Sequence, residues 1–133
     1  MAKFNFELVS PEEKLISGSA FQVTIPGEEG DLGVRAGHMP LVVSIRPGVV
    51  EILREANAPA EKIFIAGGFA DINAEQCTIL AEEAFPVANL SGDKLLQELA
   101  ALDESLRQAQ TDAERARIRA KRAVVSAMLA ATA

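Results

Sequence analysis

Apolar and polar positions change their period once along this chain. Phe4, Phe6 and Leu8 alternate with polar neighbours, and Phe21, Val23 and Ile25 do the same. A period of two puts one face of each segment on a core and predicts strands. Short apolar runs follow at Leu41 to Ile45, Val49 to Leu53, Lys62 to Ala66, Phe69 to Ile72 and Thr78 to Leu80. Turn chemistry separates them at Ser17-Gly18, Pro26-Gly27, Gly30, Gly33, Gly37, Pro47-Gly48, Asn57 with Pro59, Gly67-Gly68 and Asn73. Many short strands at such spacing predict a β-sandwich or flattened barrel, and no ten-residue helical period interrupts them to suggest a parallel α/β sheet.

Past residue 90 the period becomes helical. Leu95, Leu99, Leu102 and Leu106 recur at steps of four, three and four, which predicts a helix over 93–109, ~25 Å long at about 1.5 Å per residue. Thr111-Asp112-Ala113-Glu114 reads as a capping box that opens a second helix: the Thr hydroxyl accepts from the Glu amide, and the Glu carboxylate reaches back to the Thr amide. Ala113, Ala116, Ala120, Ala123, Ala127 and Ala130 then form a stripe of small residues. A Leu ridge against an Ala groove predicts an antiparallel hairpin. The expected architecture is an all-β N-terminal sandwich or flattened barrel over 1–88, followed by a C-terminal antiparallel α-helical hairpin over 89–133. Two helices bury only one face each, so such a hairpin is marginal alone and must lean on the β domain or on a partner. The chain reads as a rigid β module with an arm able to detach at Ala88 to Gly92.

Composition sharpens this division. All six Phe, all six Pro and eight of the nine Gly precede residue 90. The first 90 residues hold 6 basic and 13 acidic side chains, and the remainder 7 and 6, so the halves face different partners. With 133 residues, 49% of them hydrophobic and a net charge of -6, the chain can bury a core but is too small for a large enzyme. No apolar run approaches the roughly 18 residues of a membrane span, and MAKFNFELVS resembles neither a signal nor a transit peptide, which points to a cytoplasm-like compartment. Acidic balance without Trp or Tyr argues against nucleic acid as a partner. A single cysteine, Cys77, and a single histidine, His38, exclude an internal disulfide and supply no structural zinc set, so neither metal nor cofactor is expected.

Little here promises catalysis. Glu12/Glu13, Glu28/Glu29 and Glu82/Glu83 are sequence neighbours, which diverge in extended chain rather than converge on a substrate. Cys77 reads as a small buried hydrophobe rather than a nucleophile paired with His38, and His38 as a loop residue bonded to backbone. Gly67-Gly68 lacks a following Lys-Ser/Thr, so it marks a bulge or a close backbone approach, not a phosphate loop. Arg115, Arg119 and Arg122, flanked by Arg117 and Lys121, are either a solvated face or a contact for an acidic surface or phosphate.

Pro26-Gly27-Glu28-Glu29-Gly30-Asp31-Leu32-Gly33, then Gly37-His38-Met39-Pro40-Leu41 and Arg46-Pro47-Gly48-Val49-Val50, resemble the epsilon subunit family of F-type ATP synthases. Val9-Ser10-Pro11, Gly67-Gly68-Phe69-Ala70-Asp71-Ile72 and Cys77 to Ala84 match as well, so the resemblance runs from about residue 4 to 89. It implies a β-sandwich bound to the rotating gamma subunit and resting on the c-subunit ring, a non-catalytic part of the rotor that touches the membrane only through the complex. It implies c-ring or gamma contacts at Glu28, Glu29, Gly30, Asp31, Gly33, His38 and Met39. It also implies an arm that can extend along gamma into the alpha and beta subunits of the catalytic head and inhibit hydrolysis, with Arg115, Arg119 and Arg122 as its contacts. Some members bind ATP through an Ile-Asp-x-x-Arg entry and two arginines on the second helix. Here Leu90-Ser91-Gly92-Asp93-Lys94 stands at the entry, Arg122 matches one arginine and Ser126 takes the place of the other, which weakens phosphate recognition and argues against ATP sensing. The rival readings are a stand-alone nucleotide-sensing module and a scaffold with a helical arm.

Overall fold

A computed structural model describes residues 2–132; residues 1 and 133, the outer ends of the two expected domains, lie outside the described residues. The chain divides into two units, Met1–Pro86 and Val87–Ala133.

The first unit holds strands β1 (Phe4–Val9), β2 (Lys14–Ala20), β3 (Gln22–Gly27), β4 (Gly30–Val34), β5 (Leu41–Ile45), β6 (Gly48–Leu53), β7 (Glu61–Ile65), β8 (Gly68–Ile72), β9 (Gln76–Ala81) and β10 (Ala84–Pro86). They run β10-β7-β6-β3-β5-β8-β9-β1-β2, with β4 on β3. Every pair is antiparallel except β1 with β9. Inward residues from the β6 and β7 side, such as Ile52 and Ile65, share one buried cluster with Phe6, Leu8 and Ile79 from the far side. Strands so distant in sheet order meet only if the sheet folds over itself into two layers. The β-sandwich read from the alternating pattern is therefore present.

The fold-over happens at β3 and β5. These strands share one ladder position, Gly27 opposite Ile45, flanked by Glu28 N–H donating to Ser44 O and Arg46 N–H donating to Pro26 O, each at 2.9 Å. The register continues from Ile45 to Gly68 on β8 and from Gly68 to Ala81 on β9. Two glycines are demanded by this row. A Cβ on Gly27 would lie 2.7 Å from Gly30 O, and one on Gly68, at φ +150°, would lie 2.0 Å from Leu80 O. Gly67-Gly68 thus marks the close backbone approach its sequence suggested.

Several turns expected from sequence are strand interior instead. Gly18 lies within β2 and Gly33 within β4, which Gly30 opens; β2 and β4 lacked a strong apolar alternation because they are exposed over much of their length, and β10 is only three residues long. Backbone pairing with β1, β3 and β7 respectively carries them where side-chain burial does not.

The second unit opens with a 3-10 turn at Val87–Asn89 and holds α1 (Gly92–Gln108) and α2 (Asp112–Ala131). Ser91 caps α1 and Thr111 caps α2, its hydroxyl accepting from Glu114 N–H at 3.0 Å. The return half of the expected capping box is displaced by one residue, since the Glu114 carboxylate accepts from Gln110 N–H at 3.3 Å. The expected Ala groove is also corrected. Of the stripe only Ala127 is half-buried and Ala113, Ala116, Ala120, Ala123 and Ala130 are exposed, whereas Ile118, Val125 and Leu129, in line with Arg115 and Arg122, are half-buried or buried. Both stripes step by three and four, offset by two residues, about 200° around the helix. The branched side chains remove more apolar surface from water, so they take the seam.

The glycine row yields a graded prediction. Gly68→Ala should cost at least ~3 kcal/mol, through overpacking plus an unfavourable φ, whereas Gly33→Ala, exposed and with its nearest side chain 3.9 Å away, should stay within about 0.5 kcal/mol. Equilibrium urea unfolding of both variants measures the difference.

Candidate functional site

Strand alternation that points Ala70, Ile72, Cys77 and Ile79 into the core turns Phe69, Asp71, Thr78 and Leu80 outward. Phe69 is opposite Leu80, Leu80 opposite Val9 and Val9 opposite Lys14, so an apolar row crosses three neighbouring strands. Phe69 is 56% exposed and Leu80 47%, with Val42 on β5, diagonal to Phe69, at 69%. A contiguous exposed apolar face of this kind is the surface by which proteins commonly dock. Sequence reading missed it by treating Phe69 to Ile72 as one apolar run; the signal was the period of two, which groups Phe69 with Asp71 on the solvent side.

The loop residues singled out in sequence fall into two places. Glu28, Glu29, Gly30 and Asp31 form the β3–β4 tip, where with Leu41 to Ser44 of β5 they line a groove of about 470 Å³. His38 and Met39 lie in the loop before β5, outside that lining, as does Gly33 within β4. Gly37 N–H donates to Ala74 O at 2.8 Å, tying the His38 loop to the β8–β9 turn, and the half-buried His38 ring pairs through Nδ1 with Met39 O at 2.7 Å. Met39 is 78% exposed. The tip owes its shape to Arg46, whose guanidinium donates to Gly27 O at 2.5 Å and to the Asp31 carboxylate at 2.6 Å. Asp31 is thus held by an ion pair, while Glu28 and Glu29 are exposed and have none among the described residues.

On the hairpin, Arg122 donates across the seam to Asp103 at 2.6 Å, and Arg115 binds Asp112 at 2.7 Å and the Ala109 carbonyl at 3.1 Å. The hydrogen bond from Arg122, together with its charge and that of Arg107, holds the Asp103 carboxyl below its ordinary range. A depressed carboxyl stabilises above its unfolded value and loses that contribution as pH falls, so the seam loosens in acid. Only Arg119 of the three arginines is exposed without an ion pair among the described residues. The three therefore do not present one free face while the hairpin is closed.

Comparison with known proteins bears on these features together. The family described as ATP synthase, Delta/Epsilon chain, beta-sandwich domain matches residues 3–87. An ATP synthase epsilon chain of Rhodospirillum rubrum is 41% identical over 126 residues, covering 95% of this chain and 93% of that one. This chain belongs to the ATP synthase epsilon-chain family. Its relative in Parvibaculum lavamentivorans is 44% identical over 113 residues, 85% of each chain. Among solved structures, a chain of the Euglena gracilis mitochondrial ATP synthase, OSCP/F1/c-ring, superposes with TM-score 0.88 at 27% identity, covering all of this chain and 83% of that one. A chain of the Tetrahymena thermophila mitochondrial ATP synthase central stalk and c-ring, at 16% identity and TM-score 0.68, shares the fold.

Cys77, within the region that matches the family, lies fully buried beside Phe6 and Ile72 in register. Burial first, and the nearby Asp71 charge second, push its thiol from 9.0 up to about 12. A thiol that resists ionisation is no nucleophile at neutral pH. Because the unfolded chain releases this proton first, its contribution erodes stability as pH climbs from 9.0 toward about 12, at about 1.4 kcal/mol per pH unit. Cys77→Ala should be less stable than the parent at pH 7 by ~1–2 kcal/mol, with the gap closing above pH ~9 as the parent alone pays that penalty; denaturant midpoints from pH 7 to 11 measure it.

Proposed function

We propose that this epsilon chain acts as a non-catalytic element of the central rotor stalk of an F-type ATP synthase, coupling proton flow to ATP synthesis from the cytoplasmic face of a bacterial inner membrane. The outward row of Phe69, Leu80 and Val9 carries this reading, as the surface that docks on gamma; the tip at Glu28 to Asp31, with Gly33, His38 and Met39 nearby, meets the c ring or gamma. Family membership supports the assignment, and so do the c-ring and central-stalk assemblies to which the similar structures belong. No helix among the described residues is long and apolar enough to cross a membrane, so association with the bilayer runs through the complex. Residues 1–88 suffice for gamma binding, and the hairpin at 89–133 is the regulatory arm.

In the closed hairpin Arg115 and Arg122 are engaged internally, so their use against acidic surface on the alpha and beta subunits requires the seam to open. The same engagement of Arg122, with Ser126 in place of a second arginine, speaks against the nucleotide-sensing reading.

Two measurements test this. Phe69→Glu with Leu80→Glu should weaken capture of gamma from native membranes more than hundredfold, about 2.7 kcal/mol, without unfolding the chain, while the 1–88 fragment should capture gamma as the full chain does; gamma binding by the double variant at parental strength refutes the docking face. For the arm, Asp103→Asn should increase inhibition of ATP hydrolysis by a reconstituted catalytic head, since it opens the seam and leaves the arm's three arginines in place. Arg115, Arg119 and Arg122 all changed to Glu should reduce inhibition, by a few-fold and most at low salt, because exposed pairs contribute about 0–1 kcal/mol each and are screened.

A further inference from the structure

Strand β5 pairs with β8 along its whole length but meets β3 only at Gly27 opposite Ile45. Antiparallel backbone alternates its hydrogen-bonding direction residue by residue. Ser44 turns its carbonyl toward β3, where Glu28 N–H donates to it. Val42, two residues earlier, therefore turns its N–H and C=O to the same side. There β3 has ended and the chain has reversed through Glu28 and Glu29 into β4, so no strand lies alongside Val42 among the described residues. The groove lined by Gly27 to Leu32 and Leu41 to Ser44 occupies the space a longer β3 would have filled.

Sheet edges left open are usually blunted by charge or proline on the strand itself. This one instead carries Leu41 and Val42, 43% and 69% exposed, with Glu28 and Glu29 on the facing wall. Open N–H and C=O groups ask for extended backbone, the apolar side chains for apolar positions, and two carboxylates without ion pairs for cations. We infer that an extended partner segment alternating apolar and basic side chains adds as a strand along Val42 of β5, with its cations against Glu28 and Glu29. A second copy of this chain does not fit that chemistry, because its own tip would bring like charges together. At Glu28 and Glu29 the inference rests on the reading of the tip as a contact surface and names the chemistry it takes; it does not need the docking of gamma at Phe69 and Leu80, whose outer face the Val42 side chain adjoins.

An eight-residue peptide alternating Lys with Val, titrated into the full chain at low salt, is the probe. Val42→Pro removes the outward N–H at the centre of the open edge, where an edge strand tolerates proline, and leaves the β8 ladder to Leu41, Val43 and Ile45. It should weaken peptide binding at least tenfold, whereas Val42→Thr, which keeps the N–H, should bind within about twofold of the parent, and Glu28→Gln with Glu29→Gln should bind more weakly. Equal binding by Val42→Pro, or equal binding of a Glu/Val peptide, overturns the proposal. If Val42→Pro fails to fold, hydrogen exchange of the Val42 amide in the unsubstituted chain decides: it should slow at least tenfold on saturation with the peptide, and unchanged exchange overturns the proposal. Gamma capture by the Phe69 and Leu80 variants is read separately, so either idea can fail alone.

Discussion

A single ladder position joins the two layers of the sandwich, and the rest of the β unit depends on it. Gly27 meets Ile45 there, and the bonds from Glu28 to Ser44 and from Arg46 to Pro26 close the corner on either side. A backbone crossing this tight excludes side chains where strands converge, which is why Gly27 and Gly68 occupy the row to which Ile45 belongs. Arg46 then gathers the Gly27 carbonyl and the Asp31 carboxylate beside the corner. One cation thereby fixes both the fold-over and the orientation of the acidic tip, so the structural and interaction roles of this region are not separable.

The same corner accounts for the two surfaces that the chain offers. Because β3 leaves the second layer after one shared position, β5 keeps an open edge and a groove beside the tip. Because β8, β9 and β1 run on as a regular sheet, their outward positions fall in register and assemble Phe69, Leu80 and Val9 into one row. The edge presents backbone and the face presents side chains, so they suit different kinds of contact, the first specific for extended chain and the second for a shaped apolar surface.

The hairpin works by a different balance. Its seam combines Leu95 and Val125, both buried, with the half-exposed Arg122–Asp103 pair. Apolar contact of that extent is modest, and partly solvated ion pairs add little, so the closed hairpin is held by a small free energy. An arm of that kind is suited to regulation, since a competing acidic surface needs only to match the contacts that Arg115 and Arg122 already make.

Local rules operating within a few residues determined much of this protein from sequence. Alternation at Phe4 to Leu8 and Phe21 to Ile25, the Leu steps of α1, the Thr111 cap and the change of period near residue 90 each need only the geometry of strand or helix. Tertiary structure decided what those rules leave degenerate. Two stripes of identical spacing on α2 could each have faced α1, and the larger buried area of Ile118, Val125 and Leu129 chose between them. Glycines that read as turns at Gly18 and Gly33 became strand because neighbouring strands supplied their hydrogen bonds. Arg46 was legible only as part of a motif, since its partners at Gly27 and Asp31 lie 19 and 15 residues away along the chain. The exposed row and the open edge have no local signature at all: whether an apolar side chain or a strand edge is covered depends on which strands lie beside it, and that is fixed only when the sheet folds over at Gly27.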